Sequence, residues 1–232
     1  MDNICIDGNN LTCIAYSTPV PGIDSALERT YSVLSKMLGK LKQKYDGNFY
    51  VCWDTRGGTT FRKQIDSNYK ATRDPSKFDF TVIEKCKVLY EDFGIKSINI
   101  PQCEGDDALF VLCKYLRKKD PQSNIVIISR DKDLLQIVQK GYANTQYDPV
   151  KKNNIVPPWY DVVKYKALVG DSSDNISGVK GIGQKAAIKI ISGMKTLTEE
   201  QEVQYQKCLK LVDATMNPNL EKNYSLIETL NL

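Results

Sequence analysis

The chain has 232 residues, 41% of them hydrophobic and 26% charged, which fits one large domain or a large domain with a small one. The formal net charge is only +4 and there is no histidine, so any hydrolytic site must use carboxylates, and a histidine-containing zinc site is excluded. The seven cysteines include no CxxC pair, the first residues are polar, and no apolar run reaches membrane-spanning length. We therefore expect a cytoplasmic protein with reduced cysteines and no membrane partner.

Short apolar runs alternate with helical patterns in the first part of the chain. Strands are predicted at residues 3–6, 49–53, 96–100 and 125–129, with a further strand within 141–147. Helices are predicted at residues 27–41, 81–93 and 106–119. This alternation predicts an α/β fold with a mostly parallel, twisted sheet flanked by helices.

The pattern becomes helical after Pro157 and Pro158. Helices are predicted at residues 160–169, 186–191, 199–216 and 220–230. We therefore divide the chain into an α/β core at 1–155 and a helical module at 156–232 that packs on the core.

Acidic residues lie just beyond the carboxyl ends of the predicted strands. Asp7, Asp54 and Glu104 follow the first three strands, and Asp131 and Asp133 follow the fourth. Ligands bind at this edge of open α/β sheets. Capping of the next helix explains one such acid, but it explains a series over four strands less well. Because clustered carboxylates repel one another, we expect a divalent cation such as Mg²⁺ among them.

Three further motifs carry charge or glycine. Glu104-Gly105-Asp106-Asp107 places three acids at a predicted helix start, although one of them could be a helix cap. A basic segment with aromatic residues, at 59–73, suits a single DNA strand, and a mobile surface loop is the alternative. The glycine-rich turn at 178–183 lacks a Walker pattern; it fits a phosphate-binding hairpin between helices, or a simple helix C-cap.

Together these motifs resemble the structure-specific 5′-nuclease family, which includes flap endonucleases, bacteriophage 5′-3′ exonucleases and the 5′-nuclease domain of bacterial DNA polymerase I. The resemblance covers about residues 3–193 and rests on motifs in the family order, at residues 6–10, 53–54, 61–62, 69–73, 104–107, 131–134, 170–175 and 178–183. It implies a PIN-like 5′-nuclease fold with a helical arch at about 58–80 and a helix–three-turn–helix element at about 160–193.

The resemblance also implies two Mg²⁺ ions per site, for which Mn²⁺ can substitute. The first ion would be held by Asp7, Asp54 and Asp106, with Glu104 and Asp107 close by. The second would be held by Asp131, Asp133 and Asp174, with Asp171 in support. Lys70 and Arg73 would lie over the scissile phosphate as catalytic cations. DNA contacts are expected from Arg62, Tyr69, Lys166, Gly178, Lys180, Gly181, Gly183 and Lys185, with K⁺ as a further ligand of the glycine-rich turn.

The implied activity is metal-dependent 5′-3′ exonuclease and 5′-flap endonuclease cleavage of DNA that leaves 5′-phosphate and 3′-hydroxyl ends. A monomer acting on 5′ flaps, nicked or branched duplexes and 5′ single strands is expected, and a separate DNA polymerase is an open partner. A non-catalytic binder of branched DNA and a ribonuclease of the same fold are the alternatives. The family usually has an aromatic residue and an arginine where this chain has Cys13 and Ile14, so Tyr16 is a candidate substitute for base stacking.

Overall fold

The structure is a computed structural model that describes residues 1–74, 78–230 and 232. Within these residues, six strands form a single sheet. The strands are β1 (Asp2–Asp7), β2 (Gly47–Cys52), β3 (Lys96–Ile98), β4 (Asn124–Ile128), β5 (Thr145–Asp148) and β6 (Asn153–Ile155). Their order across the sheet is β3-β2-β1-β4-β5-β6.

The central strand β1 sets the register of the sheet. It pairs in parallel with β2 on one side and β4 on the other, with Asp7 opposite Cys52 and Ile6 opposite Ile128. Strand β5 is parallel to β4, whereas β6 returns antiparallel at the edge. The carboxyl ends of β1, β2 and β4 are therefore level, so the residues that follow them share one edge of the sheet.

Ten α-helices lie in the described part of the chain. They are α1 (Gly8–Ser17), α2 (Ala26–Lys44), α3 (Thr60–Ile65), α4 (Phe80–Asp92), α5 (Gly105–Lys119), α6 (Leu135–Gln139), α7 (Val162–Val169), α8 (Gln184–Ile191), α9 (Glu199–Val212) and α10 (Leu220–Thr229). Short 3₁₀ turns at Lys132–Leu134 and Ala214–Met216 precede α6 and α10.

Helices cover both faces of the sheet, which explains the almost continuous apolar sequence of β1. On one face Leu34 and Leu38 of α2 pack with Trp53 and neighbouring residues of α1 and α4. On the other face Leu109 and Phe110 of α5 pack against β1, β2 and β4. The predicted parallel sheet flanked by helices is confirmed.

The helical module is formed mainly by α7, α8 and α9. Two apolar clusters hold it together, one around Ala167, Cys208 and Leu211 and the other around Leu168 and Ala187. The chain then returns to the sheet domain, because Ala214 and Ile227 belong to the core cluster that contains α5. The last helix, α10, therefore packs against α5 of the sheet domain.

Several elements differ from the sequence expectation, among them α1, α6 and β6. Helix α1 was not predicted, because its first residues Gly8, Asn9 and Asn10 favour turns over helices. It forms because Asp7 caps it and its apolar residues lie against the sheet. Strand β6 was also not predicted, since only three residues pair with β5. The described helices include none with both the length and the apolar character needed to cross a bilayer.

Candidate active site

Asp7 lies at the end of the central strand and is nearly buried. Its Oδ1 accepts a hydrogen bond of 3.0 Å from the Asn10 N–H, and its Oδ2 accepts one of 2.9 Å from the Ser129 hydroxyl. Burial raises the pKa of Asp7 to about 7, and the nearby charge of Asp131 adds to the rise. Asp7 therefore holds its proton far more readily than an ordinary carboxylic acid.

Asp54 and Asp106 approach Asp7 from the neighbouring elements. Asp54 follows β2, and its Oδ1 accepts a hydrogen bond of 2.6 Å from the Gly105 N–H at the start of α5. Asp106 lies in the first turn of α5. Its pKa is raised, first by burial and then by the charges of Asp131 and Asp7. The ends of β1 and β2 and the start of α5 thus bring Asp7, Asp54 and Asp106 within electrostatic reach of one another, as the sequence predicted.

A second group of acids has the spacing of a metal site. Carboxylate oxygens of Asp133, Asp171 and Asp174 all lie within 4.8 Å of one another, and within the described residues this is the group that has such spacing. Oxygen-only ligands of this kind suit hard divalent cations. Burial raises the pKa of Asp133 to about 6, helped by the charge of Asp131.

The loop between α7 and α8 positions two of these acids. The backbone N–H of Asp171 donates to the carbonyl of Ile176 at 2.8 Å, and the Ile176 N–H donates back at 2.7 Å. This closure turns the chain, so that Asp171 and Asp174 face Asp133 at the end of β4. Positive φ values of 89° at Gly170 and 56° at Asn175 allow the tight turn.

Lys166 lies among the acids rather than on the surface. Its ammonium forms salt bridges with both Asp133 and Asp171. Burial alone would raise the pKa of Asp171. Hydrogen bonds from Lys166 and Ser173 outweigh that effect, so the pKa of Asp171 is lowered. The predicted contact between Lys166 and the DNA backbone would therefore require this lysine to leave its two carboxylate partners.

The predicted ligands of the first ion are less closely grouped. Among the described residues, Asp7, Asp54 and Asp106 do not share the spacing of the Asp133 group. Backbone N–H donors hold Asp7 at the start of α1 and Asp54 at the start of α5, which limits how closely these like charges approach one another. Asp131 lies between the two sets, and its Oδ1 accepts a hydrogen bond of 2.9 Å from the Asp133 N–H. The geometry thus fits one complete cation site, formed by Asp133, Asp171 and Asp174, beside a looser group of acids formed by Asp7, Asp54 and Asp106.

A buried ion-pair network lies beneath the site and corrects two predictions. Arg62 is 5% exposed and donates to Asp107 at 2.8 Å and to Glu104 at 2.6 Å. Asp107 is 1% exposed and also accepts a hydrogen bond from Asn217 at 3.1 Å. Arg62 is therefore not a DNA-contacting residue, and Asp107 is not a metal ligand, because each satisfies the other's charge inside the protein.

Glu104 and Tyr69 belong to the same network. The Tyr69 hydroxyl lies 3.2 Å from a Glu104 oxygen and 3.3 Å from an Asp174 oxygen, and its ring is buried. Tyr69 therefore cannot stack on a base from this position, which corrects its predicted role. Glu104 pairs with Arg62 and Lys70, so protein cations neutralise its charge.

The basic segment after α3 folds onto the acidic loop. Lys70 has a positive φ of 55°, and its N–H donates to the carbonyl of Asp174 at 2.9 Å. Its ammonium pairs with Glu104. Arg73 contacts Asp174 at 2.7 Å with about half of its side chain exposed. The described part of the predicted arch at 58–80 is α3 followed by turns, and residues 75–77 lie outside the described residues.

The glycine-rich turn divides into a buried and an exposed part. Gly178 is buried with φ 67°, and a Cβ there would lie 2.4 Å from backbone atoms of Gly170. The side chain of Gln204 accepts from the Lys180 N–H at 3.0 Å and donates to the Gly178 carbonyl at 2.7 Å. Gly178 is therefore a packing residue rather than a DNA contact. Gly181, Gly183 and the side chains of Lys180 and Lys185 are exposed.

Several polar residues that hold the acids were not identified from the sequence. Asn9 accepts a hydrogen bond of 3.0 Å from the Asp54 N–H, and Asn10 accepts one of 3.1 Å from the Arg130 N–H. With Ser129, these residues connect the ends of β1, β2 and β4. The sequence Asp-Gly-Asn-Asn at the end of β1 is the signal that could have indicated the two asparagines. Tyr16, proposed for base stacking, is half-buried against Phe78 with the ring centroids 4.5 Å apart.

Acids crowded at the carboxyl edge of a parallel sheet, beneath a segment that carries lysine and arginine, define the site of a metal-dependent hydrolase. The family model described as the 5′-3′ exonuclease N-terminal resolvase-like domain matches residues 3–167, and the 5′-3′ exonuclease C-terminal SAM fold matches residues 158–229. The chain belongs to the 5′-3′ exonuclease family, whose members are nucleases.

Individual relatives agree with this membership. The 5′-3′ exonuclease of Mycoplasmopsis pulmonis is 27% identical over 203 residues, which cover 84% of this chain and 67% of that protein. Thermostable DNA polymerase I of Thermus thermophilus is 29% identical over 246 residues, covering 99% of this chain and 28% of the polymerase. The chain thus spans about two thirds of the first relative and little more than a quarter of the second.

A solved structure has the same fold over the whole chain. It is a pseudo-enzyme-product complex of the bacteriophage T5 flap endonuclease with DNA and metal ions, with a TM-score of 0.67 and 17% identity. The match covers 99% of each chain.

Proposed function

We propose that this chain hydrolyses DNA phosphodiester bonds as a divalent-metal-dependent 5′-3′ exonuclease and 5′-flap endonuclease, leaving 5′-phosphate and 3′-hydroxyl ends. The observation that carries the proposal is the group of Asp133, Asp171 and Asp174, whose oxygens lie within 4.8 Å of one another at the sheet edge. Three carboxylates this close are expected to bind a cation strongly, because the cation relieves their mutual repulsion.

The proposed ions are two Mg²⁺ per site, with Mn²⁺ as a substitute. One ion would be held by Asp133, Asp171 and Asp174, and the other by Asp7, Asp54 and Asp106, with Asp131 between them. When bound, these ions supply Lewis acidity at the scissile phosphate and lower the pKa of the attacking water. A divalent ion would also compete with the Lys166 ammonium for Asp133 and Asp171, which would release this lysine toward a DNA phosphate.

Two cations of the basic segment are proposed to act on the phosphate. Arg73 can reach a phosphate directly, because its side chain is 55% exposed while its guanidinium contacts Asp174. Lys70 lies deeper, with a side chain that is 12% exposed, and pairs with Glu104. Both residues would stabilise negative charge that develops on the phosphate during hydrolysis.

Duplex DNA is proposed to bind along the exposed part of the glycine-rich turn. Gly181 and Gly183 leave the backbone accessible, and the exposed Lys180 and Lys185 add positive charge. K⁺ is a proposed further ligand of this turn. The substrates proposed are 5′ flaps, nicked or branched duplexes and 5′ single strands, bound by a monomer.

A separate DNA polymerase is a proposed partner, since the related segment of the Thermus thermophilus protein is part of a DNA polymerase I. The seven cysteines are free and six of them are buried, which supports a location in the reducing cytoplasm.

The test is cleavage of 5′-labelled flap, nicked and single-stranded DNA, with Mg²⁺ or with a chelator. We expect cleavage only with the metal. Asp131→Asn should lower the cleavage rate at least about 100-fold while gel-shift affinity for the flap stays within about threefold. Asp24→Asn, at an exposed acid outside the site, is the matched control and should cleave at the wild-type rate.

Different failures would point to different functions. Cleavage by Asp131→Asn at the wild-type rate would overturn the assigned site. Flap binding without cleavage in both Mg²⁺ and Mn²⁺ would indicate a non-catalytic binder of branched DNA. Faster cleavage of a matched RNA flap than of the DNA flap would indicate a ribonuclease.

A further inference from the structure

An aromatic surface lies on the segment between β6 and α7 and has no role in the function proposed so far. It is formed by Trp159, Tyr160 and Tyr165, which we call the aromatic ladder. The ring centroids of Trp159 and Tyr160 are 5.7 Å apart at 84°, and those of Tyr160 and Tyr165 are 4.7 Å apart at 32°. Trp159 is 74% exposed, and the nearby Val156 is 83% exposed. Contiguous exposed apolar surface commonly marks a binding site, and Val156 lines the same groove as Tyr160 and Tyr165.

The ladder continues into a groove that reaches the acidic site. The groove has a volume of about 510 Å³, which is within the range of small-molecule sites. Tyr160 and Tyr165 line it, and so do Asp133 and Asp171 of the proposed metal site. A molecule bound at the scissile position could therefore extend along this groove without leaving the protein surface.

Hydrogen bonds from the side chain of Gln139 hold the ladder in place. The Gln139 side-chain amide donates to the carbonyls of Pro158 at 3.1 Å and Tyr160 at 2.7 Å. Its oxygen accepts a hydrogen bond of 3.0 Å from the Val162 N–H. Proline at position 158 further restricts the backbone. The rings are thus presented by a fixed segment, which lowers the entropy cost of stacking a ligand on them.

The charges around the groove favour a nucleotide over an apolar partner. Lys132 lines the groove and is exposed, and Lys166 lines its acidic end. A nucleotide offers a flat ring for the tyrosines and an anionic phosphate for Lys132, whereas an apolar peptide would offer no counter-charge to this lysine.

We propose that the aromatic ladder and Lys132 bind one unpaired nucleotide of the DNA strand that passes the acidic site, with its base on Tyr160 and Tyr165 and its phosphate near Lys132. This inference rests on the proposed nuclease function, because that function supplies the strand. It assigns a base-binding position on the side of the second acid group, apart from the basic segment after α3 and the glycine-rich turn.

Intrinsic fluorescence offers a test that requires no catalysis. The chain has two tryptophans, Trp53 fully buried and Trp159 exposed, so a ligand on the ladder should quench mainly the second. The full chain is titrated in chelator with hexathymidylate and with an abasic hexamer of equal length and charge. We expect saturable quenching by hexathymidylate, and at least about tenfold weaker binding of the abasic hexamer.

Variants assign the signal to the ladder. Trp159→Phe should remove the quenching while keeping a ring at that position. Tyr160→Ala should weaken hexathymidylate binding about tenfold, and Val203→Ala, at an exposed position on α9, is the matched control that should not change it. Circular dichroism and the melting temperature of each variant establish that it folds.

Three results would overturn the inference. These are equal affinity for the abasic hexamer, absence of saturable quenching in the wild-type chain, and quenching that survives Trp159→Phe. Flap cleavage is measured separately, in Mg²⁺, on the same preparations. Cleavage with no base-dependent quenching would reject the ladder site alone, whereas base-dependent quenching with no cleavage would reject the nuclease function.

Discussion

Arg62 and Asp107 form a two-pronged ion pair inside the protein. Nη1 and Nη2 of the arginine each donate a hydrogen bond of 2.8 Å to the carboxylate of Asp107, one to each oxygen. Nε of Arg62 donates to the Leu211 carbonyl at 2.9 Å. The arginine thus connects α3, which begins the basic segment, with α5 and the end of α9. The connection fixes the start of the basic segment relative to the helix that carries Asp106.

Replacing Arg62 should therefore impair folding before it affects DNA binding. Arg62→Leu would leave Asp107 as a buried, unpaired charge, and we expect a loss of about 3–5 kcal/mol in the free energy of unfolding, measured with urea. Lys63→Leu changes the exposed neighbour on α3 and should alter stability by no more than about 0.5 kcal/mol. If Arg62→Leu left stability unchanged and weakened flap binding, Arg62 would be a DNA-contacting residue after all.

Two glycines of the same turn should respond differently to alanine. At Gly178 an alanine combines a positive φ of 67° with a Cβ only 2.4 Å from backbone atoms of Gly170 and Val169. At Gly181 φ is 77°, but a Cβ meets nothing within 4 Å. We expect Gly181→Ala to cost about 1 kcal/mol and Gly178→Ala to cost several times more, as measured by urea unfolding.

The comparison also separates packing from DNA contact at this turn. Gly181→Ala should fold and weaken duplex binding in gel shift, because the added methyl group lies on the exposed surface proposed to approach phosphates. Equal destabilisation by both substitutions would contradict the buried packing of Gly178.

The positions of the acids were largely predictable, whereas their partners were not. Asp7, Asp54 and Asp131 follow parallel strands, and the register of such strands forces their ends to one edge. The burial of Arg62 and Tyr69 carries no comparable signal. An alternation of basic and aromatic residues looks the same whether it faces DNA or a buried carboxylate, and Glu104 and Asp107 lie 42 and 45 residues away from Arg62 along the chain.

The acidic site should make the metal-free protein less stable as the pH rises. Burial raises the pKa of Asp7 to about 7 and that of Asp133 to about 6, against about 3.9 for an unfolded aspartate. At pH values between the unfolded and the folded pKa, the folded chain binds more protons than the unfolded chain. The free energy of unfolding therefore falls as the pH rises through this range. With chelator present, we expect the protein to be at least about 1 kcal/mol more stable near pH 5.5 than near pH 8.

A single substitution tests the origin of that slope. Asp7→Asn keeps a side-chain oxygen that can accept the hydrogen bond of the Asn10 N–H but removes one titrating group. Its unfolding free energy, measured with urea at both pH values, should therefore vary less with pH than that of the wild type. A wild-type stability that rises with pH over this range would contradict the raised pKa values.

Arg73 should matter for cleavage and little for stability. Its contact with Asp174 is 2.7 Å long, but the arginine side chain is 55% exposed, and such ion pairs contribute about 0–1 kcal/mol. We expect Arg73→Ala to lower the flap cleavage rate about 10- to 100-fold, with an unfolding free energy within about 1 kcal/mol of the wild type. The rate is measured under single-turnover conditions, so that product release does not mask the loss.

The conservative variant distinguishes charge from packing at this position. Only Nη2 of Arg73 contacts Asp174, so a lysine can supply the same charge, and Arg73→Lys should recover most of the rate. An alanine variant with wild-type rate would show that the cation needed at the phosphate comes from elsewhere, and Lys70 would then be the next residue to replace.

Because Lys70 pairs with the buried Glu104, its removal should also reduce stability. Comparing the loss in cleavage rate with the loss in unfolding free energy separates its catalytic role from its structural one.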